Sequence, residues 1–116
     1  MKSNEQRALD ILAYEFRNEE VKENNDKIRR NIGAKVFNSL PENWLKDLRD
    51  FKNMVMAEVS KHEKSIYYIE NKDKFADMSH FKCEQMIDDY SMKFSKITKN
   101  AIEAFIPYAI YIYYLR

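Results

Sequence analysis

Apolar residues recur along most of this chain at spacings of three and four, the period of one helical face. The pattern predicts four helical stretches. The first opens at Ser3, where Ser3-Asn4-Glu5-Gln6 fits a capping box, and carries Leu9, Leu12, Ala13 and Phe16 inward to about Glu23. Its last turn is crowded by Glu19, Glu20 and Glu23, where the helix dipole disfavours acid, so fraying is expected there. Asn24-Asn25-Asp26 reads as a turn and cap that opens a short second helix with Ile28, Ile32, Val36 and Leu40 facing inward. Gly33 lies inside it and predicts a break or a close contact.

Ser39-Leu40-Pro41-Glu42 is a start signal, with Pro41 inside the first turn. From it runs the longest stripe, Trp44, Leu48, Phe51, Val55, Val59, His62, Ile66 and Ile69, which predicts one helix to about Asn71, about 45 Å long. Asn71 to Lys74 is the expected reversal, with Phe75 and Met78 tucked beneath the bundle. A fourth stripe, capped by Ser79, carries Cys83, Ile87, Tyr90, Phe94, Ile97, Ala101 and Phe105 into the C-terminal run, with a bend or interruption expected near Pro107.

That run, Ala101 to Leu115, is nearly free of charge in a chain where 34% of residues are charged. Ile102, Phe105, Ile106, Ala109, Ile110 and Tyr113 share one face, and Tyr108, Tyr111, Ile112, Tyr114 and Leu115 make the other sides apolar or amphipathic. Something must cover it. A strand over Tyr108 to Leu115 is the alternative, but no second segment offers to pair with it, and helix is preferred. At about fifteen residues, with Glu103 and Pro107 within it, the run falls short of the roughly twenty needed to cross a bilayer.

Composition narrows the picture. The chain has 116 residues with one Gly and two Pro, which favours helices joined by short turns in one domain, residues 1 to 116. Lys plus Arg number 20 against 19 for Asp plus Glu, so no net field recruits a polyanion. The single Cys83 forms no internal disulfide and supports no zinc cluster, which points to a reducing, cytoplasmic setting. The charged N-terminal stretch has no apolar signal-peptide core. Abundant Lys, Asn, Ile and Tyr suggest an AT-rich genome, such as that of a low-GC bacterium, a phage or an archaeal virus.

Candidate chemistry is sparse. Glu58 and His62 lie one turn apart, mirrored by His80 and Glu84, but the di-metal bundle motif is one residue shorter. In a hairpin turning near Lys74 the two pairs stand about 12 Å apart, too far to share a metal. His80 and Cys83 are adjacent on a helix without an orienting third group or an oxyanion hole, so Cys83 reads as a small buried hydrophobe. With Gly33 the only glycine, neither a phosphate-binding loop nor a dinucleotide fingerprint can be written. Lys27, Arg29, Arg30 and Lys35 form a basic cluster that could grip phosphates, but Glu19, Glu20, Glu23 and Asp26 precede it and cancel much of its field.

The aromatic residues carry more. The chain has eight Tyr, seven Phe and one Trp, and four of the tyrosines crowd into Tyr108 to Tyr114, where large area with a polar tip suits a protein interface. The expectation is an all-α, single-domain helical bundle of four or five helices, with two long antiparallel helices and a C-terminal hydrophobic helix. Its expected role is that of a non-enzymatic protein-binding module without cofactor or metal, either self-associating or acting as a small regulator or inhibitor of a larger protein. The expected docking residues are Tyr108, Tyr111, Ile112, Tyr114 and Leu115. The alternatives are a nucleic-acid-binding transcriptional regulator using Lys27, Arg29, Arg30 and Lys35, and a small bundle enzyme around His62 or His80.

Overall fold

The computed structural model describes residues 2–69 and 81–115, the side chains of 114 and 115 excepted. Among these residues the chain is all-α: α1 (Asn4–Leu12), α2 (Val21–Ile32), α3 (Ala34–Asn38), α4 (Trp44–Ser60), α5 (Cys83–Lys93) and α6 (Lys99–Leu115). Short 3-10 turns stand at Asn18–Glu20 and His62–Lys64, and extended pairing among the described residues is limited to an isolated antiparallel bridge between Tyr68 and Phe81. The helical bundle is as expected, but the two long helices are each cut short, which raises the number of helices to six among the described residues.

The Ser3 capping box forms as predicted, Ser3 Oγ accepting from Gln6 N–H at 3.2 Å and Gln6 Oε1 from Ser3 N–H at 2.9 Å. α1 then stops at Leu12, eleven residues before the expected Glu23. Glu19 and Glu20 therefore sit in the turn that heads α2, where the dipole favours acid, and Glu20 accepts from the amides of Phe16 and Arg17. Asn24-Asn25-Asp26 is no turn but lies within α2, because Asn24 and Asn25 spend their side chains on partners outside the helix. Gly33 does break the chain: its φ of 103° is open to glycine and strained for other residues, and it separates α2 from α3. Ile28 is buried as expected, whereas Val36 is exposed.

Ser39 closes α3 instead of opening α4, its hydroxyl donating to Val36 O at 2.7 Å. α4 starts at Trp44, after a turn in which Trp44 N–H donates to Pro41 O, so Pro41 precedes the helix and is not in its first turn. Leu48, Phe51, Val55 and Val59 are buried, and there the inward stripe ends. His62 adopts a left-handed φ of 53°, Ile66 is 73% exposed and Ile69 is exposed too. Tyr67 takes the inward place in their stead, its hydroxyl donating to Asp89 at 2.7 Å. The reversal expected at Asn71 to Lys74, the positions of Phe75 and Met78, and Ser79 lie outside the described residues, and the residue heading α5 is Lys82.

The predicted fourth helix is two. It breaks at Phe94 to Thr98, not near Pro107. Thr98 Oγ1 accepts from Ala101 N–H at 3.4 Å, which makes it the cap of α6. Its own amide and hydroxyl donate to the Glu5 carboxylate at 3.0 and 2.8 Å, so the start of α6 is tied to the start of α1. Pro107 lies inside α6, and Ile106, Ala109 and Ile110 around it are fully buried, so packing carries the helix across the missing donor.

α6 is the centre of the core. Ala101, Ile102, Phe105, Ile106, Ala109, Ile110 and Ile112 are buried, and the helix packs against α1, α4 and α5. Phe51 is the aromatic hub, its ring 5.4 Å from Phe94, 5.4 Å from Phe105 and 6.1 Å from Tyr90, the spacing at which edge and face contacts add to simple area burial.

Candidate docking groove

Glu5 touches Thr98 at one end of α1 and Tyr14 touches Tyr108 at the other, so α1 and α6 run side by side in the same direction. Between them lies an open groove of about 450 Å³. Leu9, Ala101, Ala104 and Phe105 supply its apolar part; Gln6 and Asp10 on α1, with Lys2 just before it, form a polar edge on which Lys2 and Asp10 are paired. Small alanines along α6 leave the room; Leu9, Ala101 and Phe105 of the lining are core residues at the floor, and Ala104 is exposed.

Two tyrosines close the far end. The hydroxyls of Tyr14 and Tyr108 stand 2.7 Å apart with the rings edge to face at 6.4 Å. The bond to Tyr14, then partial burial, pushes the Tyr108 hydroxyl up to about 12, so it stays protonated across the physiological range. One of the two hydroxyls donates to the other, which leaves a donor hydrogen for a partner. Tyr14 is 56% exposed, and Tyr111, the next turn along α6, is 55% exposed.

Of the docking residues expected from the sequence, Tyr108 lines the groove and Tyr111 stands out beyond it. Ile112 is turned into the core. The side chains of Tyr114 and Leu115 lie outside the described residues. Tyr14, Gln6 and Ala104 escaped the sequence reading. The four-residue spacing of Lys2, Gln6, Asp10 and Tyr14, flanking the apolar face of α1, is the signal that marks them.

Behind the groove the connection from α1 to α2 is pinned by a buried polar cluster. Glu15, 6% exposed, turns its carboxylate inward to accept two bonds from Arg49, at 2.7 and 2.9 Å, and one from Asn24 at 3.0 Å. Arg49 also donates to Asn25, and the ammonium of Lys52, itself 3% exposed, donates to the Glu15 carbonyl and lies 5.1 Å from the centre of the Phe16 ring. Phe16, expected in the core, is instead an exposed cover over this lysine. Burial by itself would raise the Glu15 carboxyl, but the bonds from Arg49 and Asn24 and the charges of Arg49 and Lys52 outweigh it and hold the group below the ordinary carboxylate range.

The other sequence candidates are dispersed. His62 sits on a 3-10 turn with its ring 5.0 Å from that of Tyr68, and Glu58 pairs with Lys61 at 3.2 Å. Among the described residues no three His, Cys, Asp or Glu side chains are grouped to hold a metal ion, and His80 lies outside them. Cys83 is half-buried, and burial pushes its thiol up, away from the reactive thiolate. Lys27, Arg29, Arg30 and Lys35 are all exposed; Lys27 pairs with Glu23 at 3.5 Å, Arg29 and Arg30 fall in the last turn of α2 where the dipole favours cations, and Lys35 lies beyond the Gly33 break. No helix among the described residues is long and apolar enough to cross a membrane. Compared with models of protein families, with curated proteins and with solved structures, the chain finds no match.

Proposed function

We propose that this chain is a non-enzymatic protein-binding module whose partner lies along the groove between α1 and α6 and against the tyrosines at its end. The observation that carries the reading is the groove itself, an open, partly apolar slot of about 450 Å³ lined at one end by Tyr14 and Tyr108, with the exposed Tyr111 one turn further along α6. Water in such a slot is displaced at little cost by an apolar side chain, and tyrosine brings area with few rotamers to freeze, which is why interfaces concentrate it. The module acts in the cytoplasm as a small regulator or inhibitor of a larger protein, of the kind encoded by phages and mobile elements, or as a self-associating unit. A single cysteine and a near-zero net charge suit a reducing compartment and a protein surface better than a polyanion.

The test is capture of a partner from lysate of the source cell by the wild type, by Tyr14→Ala and Tyr111→Ala, and by Met92→Ala, a control at an exposed residue on α5. A partner held by the wild type and Met92→Ala but lost by both tyrosine variants is the expected result. A partner retained by all four defeats the assignment of the surface. Light scattering across concentration decides whether that partner is a second copy.

A further inference from the structure

We propose that Glu15 is a positioning residue for the groove: its buried ion pair with Arg49 holds Tyr14 against Tyr108 and thereby sets the shape of the groove's tyrosine end. The inference rests on the docking reading, yet concerns a buried residue that lies outside the lining of the groove.

The segment from Ala13 to Arg17 is tied at its ends by Ala13 N–H to Leu9 O at 2.8 Å and Glu20 N–H to Arg17 O at 3.0 Å, and between them has two turn-like backbone bonds, Tyr14 N–H to Ile11 O at 3.3 Å and Glu15 N–H to Leu12 O at 3.0 Å. Side chains hold the rest. Glu15 is clasped by Arg49 and Asn24, Lys52 holds the Glu15 carbonyl, and Glu20 receives the amides of Phe16 and Arg17. Tyr14 has an exposed ring whose polar hold is its hydroxyl bond to Tyr108. One exposed hydroxyl bond is too weak to order such a segment, whereas a buried, two-pronged carboxylate–guanidinium pair is strong and directional. The charged groups facing Glu15 are Arg49 and Lys52, both from α4, and its partner from α2 is the neutral Asn24. Removing the carboxylate charge takes the anion from a part-buried guanidinium and the two-pronged grip from the segment, which frees the segment to move outward and carry Tyr14 with it.

Nuclear magnetic resonance on the free full chain at neutral pH tests this through the Tyr14–Tyr108 ring-to-ring Overhauser effect and amide exchange at Tyr14 and Glu15. In Glu15→Gln the ring contact should weaken and exchange at these two amides rise by at least about tenfold, while amides in the middle of α6 stay slow. Arg49→Lys, which keeps the charge but loses the two-pronged grip, should move both signals less and in the same direction. It decides the matter if Glu15→Gln does not fold. Thr98→Ala, which loosens a cap elsewhere, should leave the tyrosine contact unmoved. An intact ring contact in the Glu15 and Arg49 variants, or exchange that rises no more at Tyr14 than in α6, overturns the proposal. The two readings part cleanly: partner loss in Tyr111→Ala without a change of the ring contact in Glu15→Gln leaves docking standing and removes the latch. A shifted ring contact in the free chain with no partner captured does the reverse.

Discussion

α6 and the short segment from Ala13 to Arg17 are both fixed in place, by opposite means. α6 is held by area, with one face from Ala101 to Ile112 buried against three other helices. The segment is held by charged groups, with the Glu15 carboxylate against a guanidinium and an ammonium on the backbone carbonyl of the same residue. Area is forgiving about angle and register, so it collects the bundle without specifying where a helix must stop. A clasped carboxylate tolerates no displacement, and here it dictates that α1 ends at Leu12 and that the chain turns toward α2. The greasy helix makes the fold stable, and the polar pin makes the connection unique.

The comparison is attacked most strongly through the core. Ile110→Ala, at a fully buried position of α6, should cost about 4 kcal/mol in urea unfolding followed by circular dichroism, through lost transfer energy and a residual cavity. Glu15→Ala should cost about 3 kcal/mol, because it takes the two-pronged carboxylate from the part-buried Arg49 guanidinium. Replacing Glu15 and Arg49 together by Leu and Met should recover most of that loss while loosening Tyr14, which would separate stability from position.

Acid probes the same pin. The folded pKa of Glu15 lies below its unfolded value near 4.5, so its contribution is complete above that value and disappears as the pH falls through the folded pKa. Unfolding free energies measured on both sides of this window should converge for wild type and Glu15→Gln at the acid end. A wild-type advantage that persists unchanged in acid would show that the ion pair is not what stabilises the segment.

Smaller effects mark the local signals. Thr98→Ala should cost about 1 kcal/mol, since it uncaps α6 and removes one of the two bonds to Glu5. Gly33→Ala should cost about the same; an added Cβ would meet nothing within 4 Å, so the loss comes from a backbone φ of 103° alone. Tyr111→Ala should change stability by less than about 0.5 kcal/mol, because its ring is half-exposed and its role is assigned to a partner. A large loss there would move Tyr111 from the docking surface into the core.

By itself the sequence determined the helical class, the capping box at Ser3, the break at Gly33, the inward faces of α1 and α4 and the burial of the C-terminal run. Each of these is written in residues within a turn or two of one another, where side-chain spacing and backbone freedom act directly. Tertiary structure alone decided where the helices end. α1 stops because Glu15 meets Arg49, 34 positions away; α6 begins where Thr98 meets Glu5, 93 positions away; and the inward stripe of α4 gives out where Tyr67, bonded to Asp89, takes the place expected for Ile66 and Ile69. A carboxylate or a hydroxyl carries no mark in the linear text of the partner it will find, and the groove beside them exists only because two helices far apart in the chain are brought to lie together.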